Sequence, residues 1–139
     1  MTAVLLDTHA LVWLLNGSKQ LGETSRTLIQ EAVKDDCLYL SAISPWEIAM
    51  LVSKMRLALD RDVGEWLHIA LPLPGIRLEP LSLEVAVAST RLPSDIHSDP
   101  ADRIIVATAR HLGAVLVTDD HLLLNYGAAG YVKVHRAGT

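Results

Sequence analysis

Short apolar runs alternate along the chain with segments whose apolar residues recur every three or four positions. That alternation is expected of strands interleaved with amphipathic helices in βαβ units. Ala3 to Asp7 reads as a first strand, and Thr8 can cap a short helix through Leu15 that breaks at Asn16-Gly17. Glu23 to Lys34 carries a stripe of Leu28, Ile29, Ala32 and Val33, and Leu38 to Leu40 is the next strand. Ser44-Pro45-Trp46-Glu47 has the form of a capping box with proline at the first helical position, opening a helix to about Met55. A helix over Asp62–Ala70 is followed by the turn Leu71 to Gly75, a short strand Ile76–Glu79 and a helix Ser82–Arg91. Leu92 to Ser98 is a loop placed to cover a site. Asp99-Pro100-Ala101-Asp102 repeats the capping logic for a helix that runs to Leu112 and stops at Gly113. Ala114 to Thr118 is the clearest strand. A short helix from His121 to Tyr126, stopped by Gly127, leads to a last strand over Tyr131–Val134.

These elements predict one α/β domain spanning residues 1–139, with a mostly parallel sheet and neither linker nor internal repeat. Half of the residues are apolar and a fifth are charged, as in globular proteins. The apolar stretch Val4 to Leu15 superficially resembles a secretion signal, but Asp7 and His9 interrupt it and no basic residue precedes it. No uncharged apolar run approaches the ~20 residues that span a bilayer. A single cysteine, Cys37, excludes an internal disulfide framework and fits a reducing cytoplasm.

Acids mark the junctions where strands pass into helices. Asp7 ends the first strand, Glu47 lies just inside a helix start, Asp99 and Asp102 flank Pro100, and Asp119-Asp120 close the strand Ala114–Thr118. In an open parallel sheet such junctions share one edge, where ligands bind. Taken singly, Asp99 also reads as an ordinary N-cap, and Glu47 and Asp102 as acids at the third helical position that complement the helix dipole. Asp119-Asp120 also reads as a turn pair. Asp7 resists that reading, because a carboxylate ending a buried apolar strand needs a partner. Gathered together, the carboxylates repel one another unless a cation joins them. With no cysteine in the set, oxygen ligation favours Mg²⁺, with Mn²⁺ as a substitute, over Zn²⁺. Such an ion activates water and steadies the charge that develops when a phosphodiester is cleaved.

Charge permits a nucleic-acid substrate without arguing for one. Removing the six site acids from the net charge of −4 leaves +2, and Lys54, Arg56, Arg61, Arg103 and Arg110 remain near the helices that follow the site. His97 can orient a phosphate or serve as an acid. It reads equally as a loop histidine bonded to backbone and stays outside the core set. Trp66 reads as core. Trp13 makes its helix apolar on nearly every side and implies a partner face, while packing is preferred over base stacking for Trp46.

Leu5-Leu6-Asp7-Thr8-His9, Ser41-Ala42-Ile43-Ser44-Pro45-Trp46-Glu47-Ile48-Ala49 and His97-Ser98-Asp99-Pro100-Ala101-Asp102-Arg103 together resemble the PIN-domain ribonucleases. Ile104 to Ala109 and Leu116-Val117-Thr118-Asp119-Asp120 extend the resemblance across essentially the whole chain. The VapC toxins of type II toxin–antitoxin operons are the nearest in pattern. That resemblance implies a PIN-like three-layer sandwich, with a parallel five-stranded sheet and helices on both faces, usually dimerised. It also implies a cytoplasmic Mg²⁺-dependent endoribonuclease acting on single-stranded or looped RNA. The family's first metal-binding aspartate falls on Asp7, its glutamate on Glu47 and its third acid on Asp102. A fourth, less constant acid falls on Asp120, with Asp119 the alternative if the register slips by one. Asp99 matches an aspartate frequent in the subgroup. By the same resemblance, Asp7 and Asp102 hold the metal, while Glu47 and Asp120 complete the cluster or accept a proton from the attacking water. The implied partner is a small antitoxin whose C-terminal segment enters the acidic groove, which gives Trp13 a role at a subunit or antitoxin interface. Met55 stands where glycine is common in similar sequences, and Ser98 replaces a residue that is often basic.

Two rival classes remain. A phospho-acceptor receiver domain needs a paired acid after its first strand and a late lysine, yet Thr8-His9 follow Asp7 and no lysine lies between Lys54 and Lys133. A non-catalytic PIN-fold module, kept for RNA docking or dimerisation, is the stronger alternative. Its sequence sign is loss of an acid, and none is lost.

Overall fold

Val4, Leu5 and Leu6 are wholly buried, as befits the central strand of a sheet covered on both faces. In the computed structural model, which describes residues 1–139, this strand is β1 (Val4–Leu6). The others are β2 (Leu38–Ser41), β3 (Ile76–Glu79), β4 (Val115–Thr118) and β5 (Val134–Arg136). They form one five-stranded sheet in the order β3-β2-β1-β4-β5, parallel throughout. Seven helices complete the chain: α1 (Thr8–Leu15), α2 (Glu23–Lys34), α3 (Ile43–Ser53), α4 (Val63–Ala70), α5 (Leu83–Ser89), α6 (Pro100–Leu112) and α7 (His121–Ala128).

The period-two alternation of the strands sorts the core into two layers. Val4, Leu6, Leu38, Leu40 and Val117 pack with Leu11, Ile29, Ile48 and Trp66 on one face. Leu5 and Leu116 pack with Ile105, Val106, Leu123 and Tyr126 on the other. The result is the expected three-layer sandwich. No helix is long and apolar enough to cross a membrane.

Strand order reverses at β1, so a crevice opens beyond the carboxyl ends of β1 and β4. Asp7 follows β1 and Asp119-Asp120 follow β4. Helix α6 feeds β4 through Gly113, which returns its N-terminus, with Asp99 and Asp102, to the same edge.

Several local expectations need correction. Asp7, rather than Thr8, caps α1, accepting the Thr8 amide at 2.8 Å. The capping box at Ser44 is absent. Helix α3 starts two residues earlier, from Ala42, already in helical conformation with no side-chain cap, and Ser44 is buried within its first turn. Pro45 is harmless there because the first four amides of a helix lack intrahelical partners. Glu47 reaches across to Thr8 instead of back to its own helix. Gly127 does not stop α7. It lies inside the helix where an added Cβ would stand 2.2 Å from Val134 Cγ2, so its role is close helix–strand approach. The turn falls at Gly130, with φ +93°, and delays β5 to Val134–Arg136. Helix α5 ends at Ser89, two residues short of expectation.

Candidate active site

The site grows from the hydroxyl and carboxyl groups at the ends of β1 and β4. Asp7 is only 6% exposed. Its Oδ1 accepts the Thr8 amide and its Oδ2 accepts the Thr118 hydroxyl at 2.7 Å. Thr118 in turn accepts the Asp120 amide at 3.1 Å, so one buried threonine joins two of the acidic junctions. Thr8 does the same on the other side. Its hydroxyl donates to Glu47 Oε1 and lies 3.0 Å from Ser44 Oγ, tying α1 to α3. No buried polar side-chain atom lacks a partner, which is what desolvated carboxylates require.

Asp99 caps α6 by accepting the Asp102 amide at 3.2 Å. Asp102, at the third helical position, meets His97 Nε2 at 2.6 Å. Arg103 fixes the loop that delivers His97, donating to the carbonyls of Ser89, Ile96 and His97 at 3.1–3.2 Å. It is therefore committed to backbone, not free for nucleic acid. Asp120 caps α7 through its Oδ1, which accepts the Leu122 and Leu123 amides. Asp119 accepts the Gly138 amide at 3.1 Å, which ties it to the turn that follows β5.

Asp7, Glu47, Asp99, Asp102, Asp119 and Asp120 line one cleft of about 410 Å³ with His9 and Trp13. All five predicted acids are thus brought to one place, together with Asp119, the alternative to Asp120. Burial raises the pKa of Asp7, against the lowering effect of its bonds from Thr118 and Thr8. Glu47 is pushed up to about 7, first by burial and then by the charges of Asp7, Asp102 and Asp99. Asp102 is pushed up to about 6, again chiefly by burial, with the His97 bond opposing. Glu47 and Asp102 would therefore give up protons to a cation bound in mildly acidic solution.

No three of these groups are drawn into a closed metal cage, and protein donors engage at least one oxygen of each carboxylate. The donor chemistry nevertheless fits a hard divalent ion. The cleft offers carboxylate oxygens with a single exposed imidazole, and Mg²⁺ binds through one or two carboxylates while keeping several waters.

Sequence reasoning undervalued three groups. His97 contacts Asp102 instead of backbone. Thr8 and Thr118 are the hydroxyls that orient the acids, and their signal was adjacency to Asp7 and to Asp119-Asp120. Trp46, assigned to packing, is 55% exposed. Trp66 is core as expected, at 7% exposure. Trp13 is half-buried, with its ring 6.5 Å from that of His9.

A parallel sheet in this order, with acids gathered beyond β1, β4 and the head of α6, matches a known class. The chain belongs to the PIN domain family, whose model covers residues 4–128. Its sequence is 36% identical over 126 residues to ribonuclease VapC22 of Mycobacterium tuberculosis (strain ATCC 25618 / H37Rv), spanning 91% of this chain and 93% of that one. Its fold is similar to VapBC2 from Rickettsia felis, solved bound to a DNA fragment from its promoter (TM-score 0.70, 16% identity, 96% of this chain and 98% of that one). It is also similar to FitAcB from Neisseria gonorrhoeae (TM-score 0.67, 26% identity, 96% and 97%).

Proposed function

We propose that this single domain is a divalent-metal-dependent endoribonuclease, the toxin of a type II toxin–antitoxin pair, working in the cytoplasm. The observation that carries the reading is the meeting of Asp7, Glu47 and Asp102 in one cleft, each with its pKa raised by burial. Similarity to ribonuclease VapC22 over most of both chains supports RNA as substrate, and the likeness to the FitAcB complex supports an antitoxin as partner.

Asp7 and Asp102, with Glu47, Asp120 and Asp99, would hold Mg²⁺, for which Mn²⁺ can substitute. When bound, the ion supplies charge neutralisation at the phosphate and acidifies water. The Thr118 hydroxyl and the Thr8 amide fix the Asp7 carboxylate in place, so it would meet a metal ion without reorganising. Glu47, with a pKa of about 7, is matched to taking a proton from water near neutral pH. His97 keeps Asp102 oriented and favours its ionised form. Asp120 sits opposite Asp7 through the shared Thr118.

The test is incubation of a mixed RNA pool with pure protein in Mg²⁺ and in EDTA. Discrete products in Mg²⁺ alone support the reading. RNA binding without cleavage would favour a docking module instead. A homodimer is the expected assembly.

A further inference from the structure

Beside the acidic cleft lies a second cavity of about 370 Å³, within the size range that takes small molecules. One wall is Ile43, Trp46 and Met50, which share a face of α3 at spacings of three and four. The other is Pro100 and Ile104 of α6. Glu47 and Asp99 line both cavities, so the apolar slot is continuous with the carboxylate cleft. The chain contains three tryptophans and no phenylalanine, yet two of those tryptophans flank this acid set, Trp13 within the cleft and Trp46 in the slot.

Taking the ribonuclease reading as its basis, we propose that the slot is a nucleobase-binding subsite. An unpaired base next to the scissile phosphate stacks on the exposed indole of Trp46, with the apolar side chains of α6 opposite. Trp46 directly precedes Glu47 in α3, so a phosphate placed among the carboxylates has its neighbouring base within reach of the indole. A stacking face accepts any base but requires one splayed out of a duplex. The subsite therefore selects single-stranded or looped RNA while leaving sequence choice to other contacts.

The test is anisotropy of a labelled single-stranded RNA of mixed sequence, in Mg²⁺, with the Asp7→Asn protein as parent. Trp46→Ala, Trp46→Phe and Ile104→Gln are each added to that parent, and melting curves establish that each protein is folded. Trp46→Ala is expected to bind about 5- to 150-fold more weakly, the range of base–aromatic stacking, with Ile104→Gln weakened in the same direction. Trp46→Phe should restore binding to within about threefold, because stacking survives a smaller ring. Undiminished binding by Trp46→Ala overturns the subsite and leaves the ribonuclease reading standing. If neither the parent binds RNA nor the wild-type protein cleaves it, the ribonuclease reading falls and the subsite with it. Normal RNA binding by Trp46→Ala, combined with loss of complex with a co-expressed antitoxin, would assign the slot to the protein partner instead.

Discussion

The Thr118 hydroxyl donates to Asp7 Oδ2 at 2.7 Å and accepts the Asp120 amide at 3.1 Å. The end of β4 thereby sets the carboxylate that ends β1. Thr118→Val keeps the shape of the side chain and removes both bonds. Because hydrogen bonds to charged groups contribute about 1.5–3 kcal/mol, the variant should lose stability of that order in urea denaturation. Its activity should fall about 10-fold or more, as when groups that orient metal ligands are removed.

Raised carboxyl pKa values set the sign of the pH dependence. Glu47 moves from 4.5 to about 7 and Asp102 from 3.8 to about 6. The folded state therefore binds more protons than the unfolded state between about pH 4 and 7. Stability from these groups is fully present below their unfolded values and is lost as pH rises through about 6 and then 7. In EDTA the melting temperature should fall across that window. Mg²⁺ should raise it more at about pH 8 than at about pH 5, since the ion must displace protons at the lower pH. Equal Mg²⁺ effects at both would contradict the site.

His97 lowers the pKa of Asp102 against burial. His97→Ala should move the acid limb of kcat/KM to higher pH and lower activity near neutrality by about 10- to 100-fold. Arg103→Leu, which frees the loop from its three carbonyl bonds, should shift the profile in the same direction. A pH–rate profile for each variant checks this.

Met55 closes α3 in the left-handed conformation, with φ 59°. The Arg56 amide bonds Leu51 O at 2.9 Å and the Met55 amide bonds Val52 O at 3.0 Å, the geometry that glycine usually serves. Met55 is 93% exposed, so its side chain adds no packing. Met55→Gly should stabilise the protein by about 1 kcal/mol, the scale of strain at such positions, and leave RNA cleavage unchanged. Thermal melting reads the gain.

The parallel sheet and the gathering of the acids were legible because apolar runs place Asp7, Asp102 and Asp120 at element ends, and such ends share an edge. What escaped the sequence depends on contacts between distant residues. Glu47 has the spacing of a capping box, but Thr8, 39 positions away, claims its carboxyl. His97 looked like a loop residue because its partner is fixed only when Arg103 folds the loop. Gly127 mimics a helix stop, yet the nearness of Val134 is what requires it. The same limit hid Trp46, whose exposure depends on how α3 and α6 pack beside the cavity they share.

The most direct test of the central claim is RNA cleavage by Asp7→Asn beside wild type in Mg²⁺. The amide keeps the size of the side chain, can still cap α1, and can still pair with Thr118 as a donor, so the fold should hold in circular dichroism. Cleavage should drop about 100-fold or more, as when a group that stabilises developing charge is lost. A folded Asp7→Asn protein that cleaves at the wild-type rate would contradict the assignment.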